Sequence, residues 1–315
     1  MSQRAIQPLL LERWEKILPK ESLACALDAN PSALPTSIRL NPLRAPPSET
    51  LAQLRASGIA LDAVDWCDVA YKTPTTPREL QSHPTHAQGC FYIQSLSSIA
   101  ASLALHPQPG ESVLDLCAAP GSKTSHLAAM MKNSGHLVAV DASRPRQYKL
   151  REVLRILGAT AECICAHGER WARGHPAMFD RVLVDAPCSG EGRIHLGDFA
   201  ANEDWTLGKV RRLASLQKAL LHSAIDALRP GGMLVYSTCT FAPEENELVL
   251  ARALERYAGR IEIIPLPFDM PHAQPALTEW NKKQLDSSIA NARRIFPPLE
   301  GFFIARLRKL ANPTL

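Results

Sequence analysis

The segment Val113-Leu114-Asp115-Leu116-Cys117-Ala118-Ala119-Pro120-Gly121-Ser122-Lys123 joins a short β-branched strand to a helix through a turn of small residues. Such a turn lets the backbone approach a ligand at the N-terminus of the helix, so we expect a nucleotide-like ligand here. The turn matches neither Gly-x-Gly-x-x-Gly nor Gly-x4-Gly-Lys-Ser/Thr, which excludes the dinucleotide and P-loop fingerprints. Asp141 closes the next predicted strand, where doubly wound folds place a carboxylate for ribose hydroxyls; helix capping is its alternative role.

From Gly89 onward, short β-branched runs alternate with longer helical stretches, which is typical of βαβ units and a parallel sheet. The pattern predicts an α/β fold with a doubly wound, Rossmann-like sheet of seven strands. Its ligand should lie at the carboxyl ends of the strands. The strands are predicted at Val113–Cys117, His136–Asp141, Glu162–Ala166, Arg181–Asp185, Gly232–Thr238, Ile261–Ile264 and Phe302–Leu307, and the main helices at Ser122–Met131, Pro145–Leu157, Leu207–Leu228 and Glu244–Tyr257.

The N-terminal part has a different organisation, and we divide the chain into residues 1–35, 36–88 and 89–315. The first segment is predicted to be helical over residues 4 to 28, before Pro31 and Pro35. The second is predicted to be a small α+β domain with a linker, and the third is the doubly wound domain. The small domain's predicted elements are a strand at 37–41, a helix at Ser48–Ser57 capped by Gly58, mixed strand and loop through Tyr71, and the linker at Lys72–Pro84.

Composition limits the classes of protein to which the chain can belong. With 315 residues, 46% of them hydrophobic, it can bury a sizeable core. No stretch has the length and apolarity of a membrane span, and no signal peptide is apparent, so we expect a cytoplasmic protein. The eight cysteines lack the spacing of a disulfide framework or a metal site, so reduced thiols and no metal are expected.

Charge permits nucleic-acid binding without requiring it, because the formal net charge is only +4. Any electrostatic footprint must therefore come from local clusters of basic residues. Each cluster is either a nucleic-acid contact or a solvated helix face. The two candidate clusters are Arg144, Arg146, Lys149, Arg151 and Arg155, and Lys209, Arg211 and Arg212.

Two cysteines follow the ends of predicted strands, in Asp185-Ala186-Pro187-Cys188 and in Ser237-Thr238-Cys239-Thr240. In a sheet of this kind the two strands are neighbours, so both thiols should face the crevice that holds the ligand. A single cysteine at such a position is more often a small buried hydrophobe than a nucleophile. Two of them on the functional edge, one placed three residues after a strand-end aspartate, favour chemistry.

Taken together, these blocks resemble the RNA cytosine-5 methyltransferases of the Nol/Nop/Sun group, of the RsmB/RsmF-like kind, over nearly the whole chain. The resemblance implies a methyltransferase sheet, S-adenosyl-L-methionine as cofactor and RNA as substrate, with 16S rRNA in the small ribosomal subunit expected. We expect the protein to act as a monomer. The matching blocks are Ile38–Asn41, Phe91–Gln94, Val113–Thr124, Asp185–Gly190, Pro230–Gly232, Tyr236–Thr240, Glu244–Glu247 and Gly301–Ala305.

The resemblance also implies that Cys239 is the nucleophile and that Cys188 assists product release. Carbon 5 of cytosine is too electron-poor to attack a methyl sulfonium, but a thiolate added to carbon 6 turns the ring into an enamine that can. Asp185 is then suited to hydrogen-bond the base, and Lys123 to lower the thiol pKa. Implied cofactor contacts are Cys117, Ala118, Ala119, Pro120, Gly121, Ser122, Lys123, Asp141, Arg146, His167, Asp185 and Pro187, and implied RNA contacts of the small domain are Arg39 and Asn41.

Three departures from the family pattern bear on these expectations. His167 stands where relatives usually carry an aspartate beside the adenine, and an imidazole can stack or donate there. Leu154 and Ile156 replace polar residues of the helix after the second strand. The sequence ends about where the catalytic core ends, so target choice is expected to depend on the N-terminal domain or on a partner.

Three other functions compete with this interpretation. The same chemistry on tRNA fits the same residues, and the sequence identifies neither the modified nucleotide nor the assembly state of the substrate. A DNA cytosine methyltransferase would use the cysteine of the Pro-Cys pair, Cys188, and would leave Cys239 without a role. A non-catalytic RNA-binding assembly factor would require neither thiol.

Overall fold

This computed structural model describes residues 6–28, 35–194, 202–297 and 299–311. Residues 4, 5 and 31, on which part of the predicted N-terminal helical segment depends, lie outside the described residues. The helices are α1 (Pro8–Ile17), α2 (Lys20–Asp28), α3 (Pro47–Ala56), α4 (Pro77–Ser82), α5 (Pro84–Ala87), α6 (Leu96–Leu105), α7 (Ser122–Met130), α8 (Arg144–Leu157), α9 (Gly168–Arg173), α10 (Glu191–Ile194), α11 (Leu207–Ala227), α12 (Glu247–Arg256) and a 3-10 helix (Ser287–Asn291).

Two sheets and a short hairpin contain the described strands. The small sheet comprises β1 (Thr36–Leu40), β2 (Asp62–Val64), β3 (Cys67–Thr73) and β4 (Phe91–Ile93). The hairpin is β12 (Glu279–Trp280) with β13 (Lys283–Gln284). The large sheet comprises β5 (Ser112–Asp115), β6 (His136–Asp141), β7 (Glu162–Cys165), β8 (Phe179–Asp185), β9 (Leu228–Thr238), β10 (Ile261–Ile264), β11 (Ala273–Pro275), β14 (Arg293–Ile295) and β15 (Phe302–Lys309).

The large sheet has the order β11-β14-β15-β9-β8-β5-β6-β7, with β10 also paired to β15. Strands β5 to β9 run parallel, whereas β15 pairs antiparallel with β9. All seven predicted strands are present, and the doubly wound α/β prediction is confirmed. The two additional strands, β11 and β14, have three residues each, and β14 starts with Arg293 and Arg294, so neither shows the apolar alternation that identifies a strand.

Buried apolar runs explain why β5, β6, β8 and β9 lie inside the sheet, whereas β7, which has no buried residue, is its edge strand. Helices α9, α11 and α12 contribute to the core on one face, and α6 and α7 contribute to the core on the other. A parallel strand covered on both faces needs apolar side chains on both sides, as in Val182, Leu183 and Val184. The core on the α6 side also includes Val64 and Cys67 of the small sheet, so the two sheets share packed side chains.

The segment between the sheets differs from the predicted linker at Lys72–Pro84. It contains the end of β3 and helix α4, whose N-cap Thr76 forms a capping box with Glu79. Prolines that indicated a linker instead occupy the first turns of α4 and α5, where a missing N–H costs nothing. Strand β4 lies beyond residue 88 but pairs with β1, so the small sheet extends into the segment assigned to the doubly wound domain.

Candidate active site

The small-residue turn after β5 lies where the sequence predicts the cofactor. Gly121 has a φ of 107° and begins α7, and a Cβ atom on it would lie 3.0 Å from Leu150 Cδ1. A side chain at this position would therefore be strained and crowded. Leu154, which replaces a polar residue of the family, packs with Leu150, Ala118 and Ala119 behind the turn. The turn is thus held against α8 by apolar contacts.

Asp141 anchors the other side of the turn. Its carboxylate accepts hydrogen bonds from Ala119 N at 3.2 Å and Ser143 N at 2.9 Å, and Arg146 Nη1 lies 3.2 Å from Oδ2. Arg146 also donates to the carbonyl of Ala119. His167 follows β7 at the same end of the sheet, and its side chain is 66% exposed. The predicted cofactor residues therefore gather at the carboxyl ends of β5, β6, β7 and β8.

Cys188 and Cys239 are brought together at the ends of β8 and β9. Their Sγ atoms lie 3.2 Å apart, and Cys239 N donates to Cys188 Sγ at 3.3 Å. The hydrogen bond from the Cys188 thiol lowers the pKa of Cys239, and the nearby cations Arg193 and Lys123 act in the same direction against burial. The same hydrogen bond and burial raise the pKa of Cys188. Cys239 is therefore the thiol that ionises first.

A third cysteine, Cys117, lies in the turn and remains a neutral thiol. Burial and the negative charges of Asp115, Asp185 and Asp141 raise its pKa well above the ordinary value. Asp115 itself is fully buried, accepts a hydrogen bond from Thr124 Oγ1 at 2.7 Å, and burial raises its pKa to about 7. The comparison of the three thiols favours Cys239 as the nucleophile.

Asp185 is held from two sides beside the cysteines. Lys123 Nζ lies 2.7 Å from its Oδ2 atom, and Ser237 Oγ donates to its Oδ1 atom at 2.8 Å. The Asp185 side chain keeps 29% exposure, whereas that of Lys123 keeps 10%. Lys123 Nζ also lies 5.7 Å from the centroid of the Phe302 ring. An oriented and accessible carboxylate with a buried cation behind it is suited to hydrogen-bond a polar ligand.

Residues of the block Glu244–Glu247, to which sequence analysis gave no role, hold the two cysteine loops in place. The Glu245 carboxylate accepts from Ser189 N at 3.0 Å and from Gln217 Nε2 at 2.7 Å. Asn246 Oδ1 accepts from Thr238 Oγ1 at 2.6 Å, and its Nδ2 donates to Thr240 O at 2.9 Å. The signal in the sequence was the position of Glu245 in a block that matches the family, but its hydrogen-bond partners could be identified only from the fold.

Arg39 and Asn41, the expected RNA contacts, are 0% and 1% exposed. Arg39 donates to Gln94 Oε1 at 2.8 Å and to Ser125 Oγ of α7 at 2.9 Å. Asn41 Nδ2 donates to the carbonyls of Gly89 and Leu157, both at 2.8 Å. A direct contact with RNA requires an exposed side chain, so this expectation does not agree with the structure. Both residues instead join the small sheet to α7 and the end of α8.

Two further features concern metals and membranes. Among the described residues, no group of three or more His, Cys, Asp and Glu side chains is arranged to hold a metal ion. No helix in the described part of the chain combines the length and apolarity needed to cross a membrane.

Comparison with known proteins places this site in a family. A family model described as 16S rRNA methyltransferase RsmB/F matches residues 102–308, and the N-terminal domain of 16S rRNA methyltransferase RsmF matches residues 8–96. The ribosomal RNA small subunit methyltransferase F of Vibrio parahaemolyticus is 36% identical over 96% of this chain and 63% of its own length. The 26S rRNA (cytosine-C(5))-methyltransferase nsun-1 of Caenorhabditis elegans is 35% identical over 99% of this chain and 48% of its own length.

Solved structures agree on the architecture. A methyltransferase homolog from Pyrococcus horikoshii has a TM-score of 0.79 at 32% identity, covering 97% of this chain and all of its own. NSun6 from the same organism, at 21% identity, has a TM-score of 0.81 over 99% of this chain and 100% of its own, which supports the fold alone.

The sheet, the small-residue turn after β5 and the paired cysteines define a Rossmann-like methyltransferase. Within this class, the chain belongs to the RsmB/F family of 16S rRNA methyltransferases. It spans about half to two thirds of the length of the curated relatives that it matches, 48% of one and 63% of another.

Proposed function

We propose that the protein transfers a methyl group from S-adenosylmethionine to carbon 5 of a cytosine in RNA, with small-subunit rRNA as the substrate. The observation that carries this proposal is the 3.2 Å approach of Cys188 Sγ to Cys239 Sγ, beside an Asp185 that Lys123 orients. Family membership supports the methyltransferase class, and the names of the curated relatives support rRNA rather than tRNA.

The carboxylates around the turn support S-adenosylmethionine as the cofactor. Burial is the main cause of the raised pKa of Cys117, and Asp115, Asp185 and Asp141 add to it, so three carboxyl groups lie near the turn and are suited to a cationic sulfonium, although Arg146 and Lys123 offset part of their charge. In this proposal Asp141, whose side chain is 3% exposed and whose carboxylate is fixed by backbone N–H groups, accepts hydrogen bonds from ribose hydroxyls with the lone pairs that those groups leave over. When bound, the cofactor supplies a methyl group on a positively charged sulfur, which is an electrophile.

Cys239 performs the first step in this proposal. Its thiolate adds to carbon 6 of the cytosine, and the electron pair of the 5,6 double bond moves into the ring and makes carbon 5 nucleophilic. The hydrogen bond from Cys188 stabilises the thiolate before attack, because it lowers the pKa of Cys239. Asp185, held by Lys123 and Ser237, accepts a hydrogen bond from the exocyclic amine, and it accepts one from the ring nitrogen once that nitrogen takes up a proton from water as negative charge develops on it.

Cys188 acts after the methyl group has moved to carbon 5. The carbon-5 proton must leave before the bond between Cys239 and carbon 6 can break and restore the double bond. Cys188 lies within 3.2 Å of the sulfur that leaves, and it assists this elimination directly or through a water molecule. The two cysteines therefore have separable roles, one in forming the covalent bond and one in breaking it.

Methyl transfer from labelled S-adenosylmethionine to small-subunit rRNA, tRNA and DNA tests the substrate. We expect label in rRNA, recovered as 5-methylcytidine, and none with Cys239→Ala. Label confined to tRNA would change the substrate, and label in DNA would overturn the proposal. Absence of transfer with RNA binding intact would favour a non-catalytic assembly factor.

A denaturing gel separates the roles of the two thiols. Cys188→Ala should accumulate a nuclease-sensitive protein–RNA adduct, because attack and transfer remain possible while elimination slows. The double variant with both cysteines changed to alanine is the control and should form no adduct. An adduct formed by Cys239→Ala alone would make Cys188 the nucleophile and reverse the assignment.

A further inference from the structure

Helix α8 carries a basic surface that the proposed active site does not use. Its outward side presents Arg144, Arg151 and Arg155 in helical register with Tyr148, at spacings of four, three and four residues. The opposite side, with Leu150 and Leu154 among its residues, is buried. We call Arg144, Tyr148, Lys149, Arg151 and Arg155 the α8 stripe.

Tyr148 is the unusual member of the stripe. Its side chain is 76% exposed, whereas the other exposed large hydrophobic residues among those described, Leu9, Leu27 and Met178, reach 47% at most. Within the described residues, Tyr148, Arg144 and Lys149 make no side-chain hydrogen bond or ion pair. The ring lies in register with Arg144, Arg151 and Arg155 on the exposed side of the helix, and tyrosine is enriched at interfaces, where its ring packs against a partner.

The charge of the stripe indicates what kind of partner it fits. Helix α8 has five basic residues and one acidic residue, Glu152, and Arg155 engages both oxygens of Glu152, at 2.6 and 2.9 Å. The net charge of this one helix thus equals the +4 of the whole chain. An anionic partner with flat apolar surfaces satisfies both the cations and the exposed ring, and single-stranded RNA has both properties.

The ends of the helix connect the stripe to the site and to the small sheet. In the first turn, Arg146 lies 3.2 Å from Asp141 beside the cofactor turn. At the last turn, Arg44 Nε donates to Ile156 O at 2.8 Å, and Asn41 donates to Leu157 O at 2.8 Å. A helix of this length spans about 20 Å, enough for several nucleotides between the catalytic edge and the small domain.

We propose that the α8 stripe binds a single-stranded segment of the RNA substrate, with phosphates on Arg144 and Lys149 and a base stacked on Tyr148. This inference rests on the proposed function, because it assumes an RNA substrate. It adds a docking surface outside the cofactor and cysteine sites. It also selects between the two interpretations of the basic cluster, nucleic-acid contact and solvated face.

Fluorescence anisotropy with a labelled, unstructured RNA oligonucleotide tests the stacking contact. Tyr148→Ala should lose about 5-fold or more in affinity, the lower end of the range for one base stack, while Tyr148→Phe should bind like the native protein. Duplex RNA should not distinguish the three proteins, because its bases are already stacked. Native affinity of Tyr148→Ala for the single strand would overturn the proposal.

Salt dependence tests the phosphate contacts. Arg144→Gln with Lys149→Gln should weaken binding and reduce the slope of log affinity against log salt by about 1.4, since each single-strand phosphate contact contributes about 0.7. The matched control is Arg256→Gln with Lys282→Gln, which changes two exposed cations outside the stripe, one at the end of α12 and one in the turn between β12 and β13. Equal losses in both double variants would mean unspecific attraction and overturn the proposal.

Failure of the proposed function is distinguishable from failure of this inference. If the native protein methylates RNA but the stripe variants bind RNA normally, the stripe does not bind RNA and the activity assignment stands. If the native protein neither binds nor methylates RNA, the proposed function fails and the stripe proposal fails with it. In all variants, S-adenosylmethionine should raise the melting temperature as it does in the native protein, because none of the changed residues touches the cofactor turn.

Discussion

Two groups of buried polar residues in this molecule cannot be distinguished by sequence, but their side chains differ in exposure. The catalytic edge consists of Cys188, Cys239, Asp185 and Lys123, and the seam consists of Arg39, Asn41, Gln94, Ser125 and His126. Both contain residues from blocks that match the family. At the catalytic edge Asp185 remains 29% exposed, whereas Arg39 in the seam is completely buried.

The difference lies in where the hydrogen-bonding capacity is used. At the edge, side chains orient one another, the two sulfur atoms lie 3.2 Å apart, and the Asp185 carboxylate remains partly exposed. In the seam, Arg39 Nε and Nη2 and Asn41 Nδ2 donate to groups of the protein itself, and Arg39 Nη1 is buried without a hydrogen-bond partner among the described residues. Burial lowers the pKa of Arg39 to about 10, and burial with the charge of Arg39 lowers that of His126. A match to a family block therefore indicates that a residue matters, but it does not show whether the residue binds a ligand or supports the structure.

Among the changes that distinguish the catalytic edge from the seam, substitution of Arg39 should have the largest effect. Arg39→Met should lower the free energy of unfolding by about 2 to 4 kcal/mol, because it leaves Gln94 Oε1 and Ser125 Oγ without their buried donor. Urea unfolding measures this loss. The control is Arg55→Met, an exposed arginine of α3, which should change stability by about 0.5 kcal/mol or less.

The RNA affinity of the folded Arg39→Met protein tests whether Arg39 contacts RNA. We expect it to remain near native, because the side chain is not exposed. Native stability combined with weak RNA binding would restore Arg39 to the role that the family resemblance implied.

The same comparison explains what sequence alone could and could not predict. Strand β10 was predicted at its observed bounds, Ile261–Ile264, because an apolar β-branched run marks it. The cysteine pair was predicted because strand ends determine which residues share an edge. The exposure of Arg39 and the target of Glu245 depend on contacts between residues that are far apart in sequence, across 86 positions for Arg39 and Ser125. Periodicity and turn chemistry carry no information about such contacts.

A smaller effect should distinguish Asp115, which is fully buried at the base of the cofactor turn, from Asp185, whose side chain is 29% exposed. Burial raises the pKa of folded Asp115 to about 7, above the value of about 3.9 in an unfolded chain. Between these values the folded state holds a proton that the unfolded state has lost. Stability is therefore lost as pH rises through this window.

The variant Asp115→Asn removes that proton uptake and keeps an oxygen acceptor for Thr124. Relative to this variant, the native protein should lose melting temperature between about pH 4 and about pH 7. Glu191, whose pKa burial also raises to about 7, is present in both proteins and cancels in the difference. Parallel pH profiles would mean that Asp115, with Lys123, Asp141 and Asp185 nearby, is ionised in the folded state.

The smallest expected effect concerns Ser237, a positioning residue of the catalytic edge. Ser237→Ala removes the 2.8 Å hydrogen bond to Asp185 Oδ1 and leaves the 2.7 Å bond from Lys123 to Oδ2. The carboxylate then keeps its charge and loses one of two restraints on its orientation. We expect kcat to fall about 10-fold, the lower end of the effect of a hydrogen bond to a charged group because Lys123 still restrains the carboxylate, with KM for the cofactor unchanged. Ser237→Thr, which retains the hydroxyl, should recover most of the rate. If KM for the cofactor rises while kcat stays constant, Asp185 serves cofactor binding rather than the base.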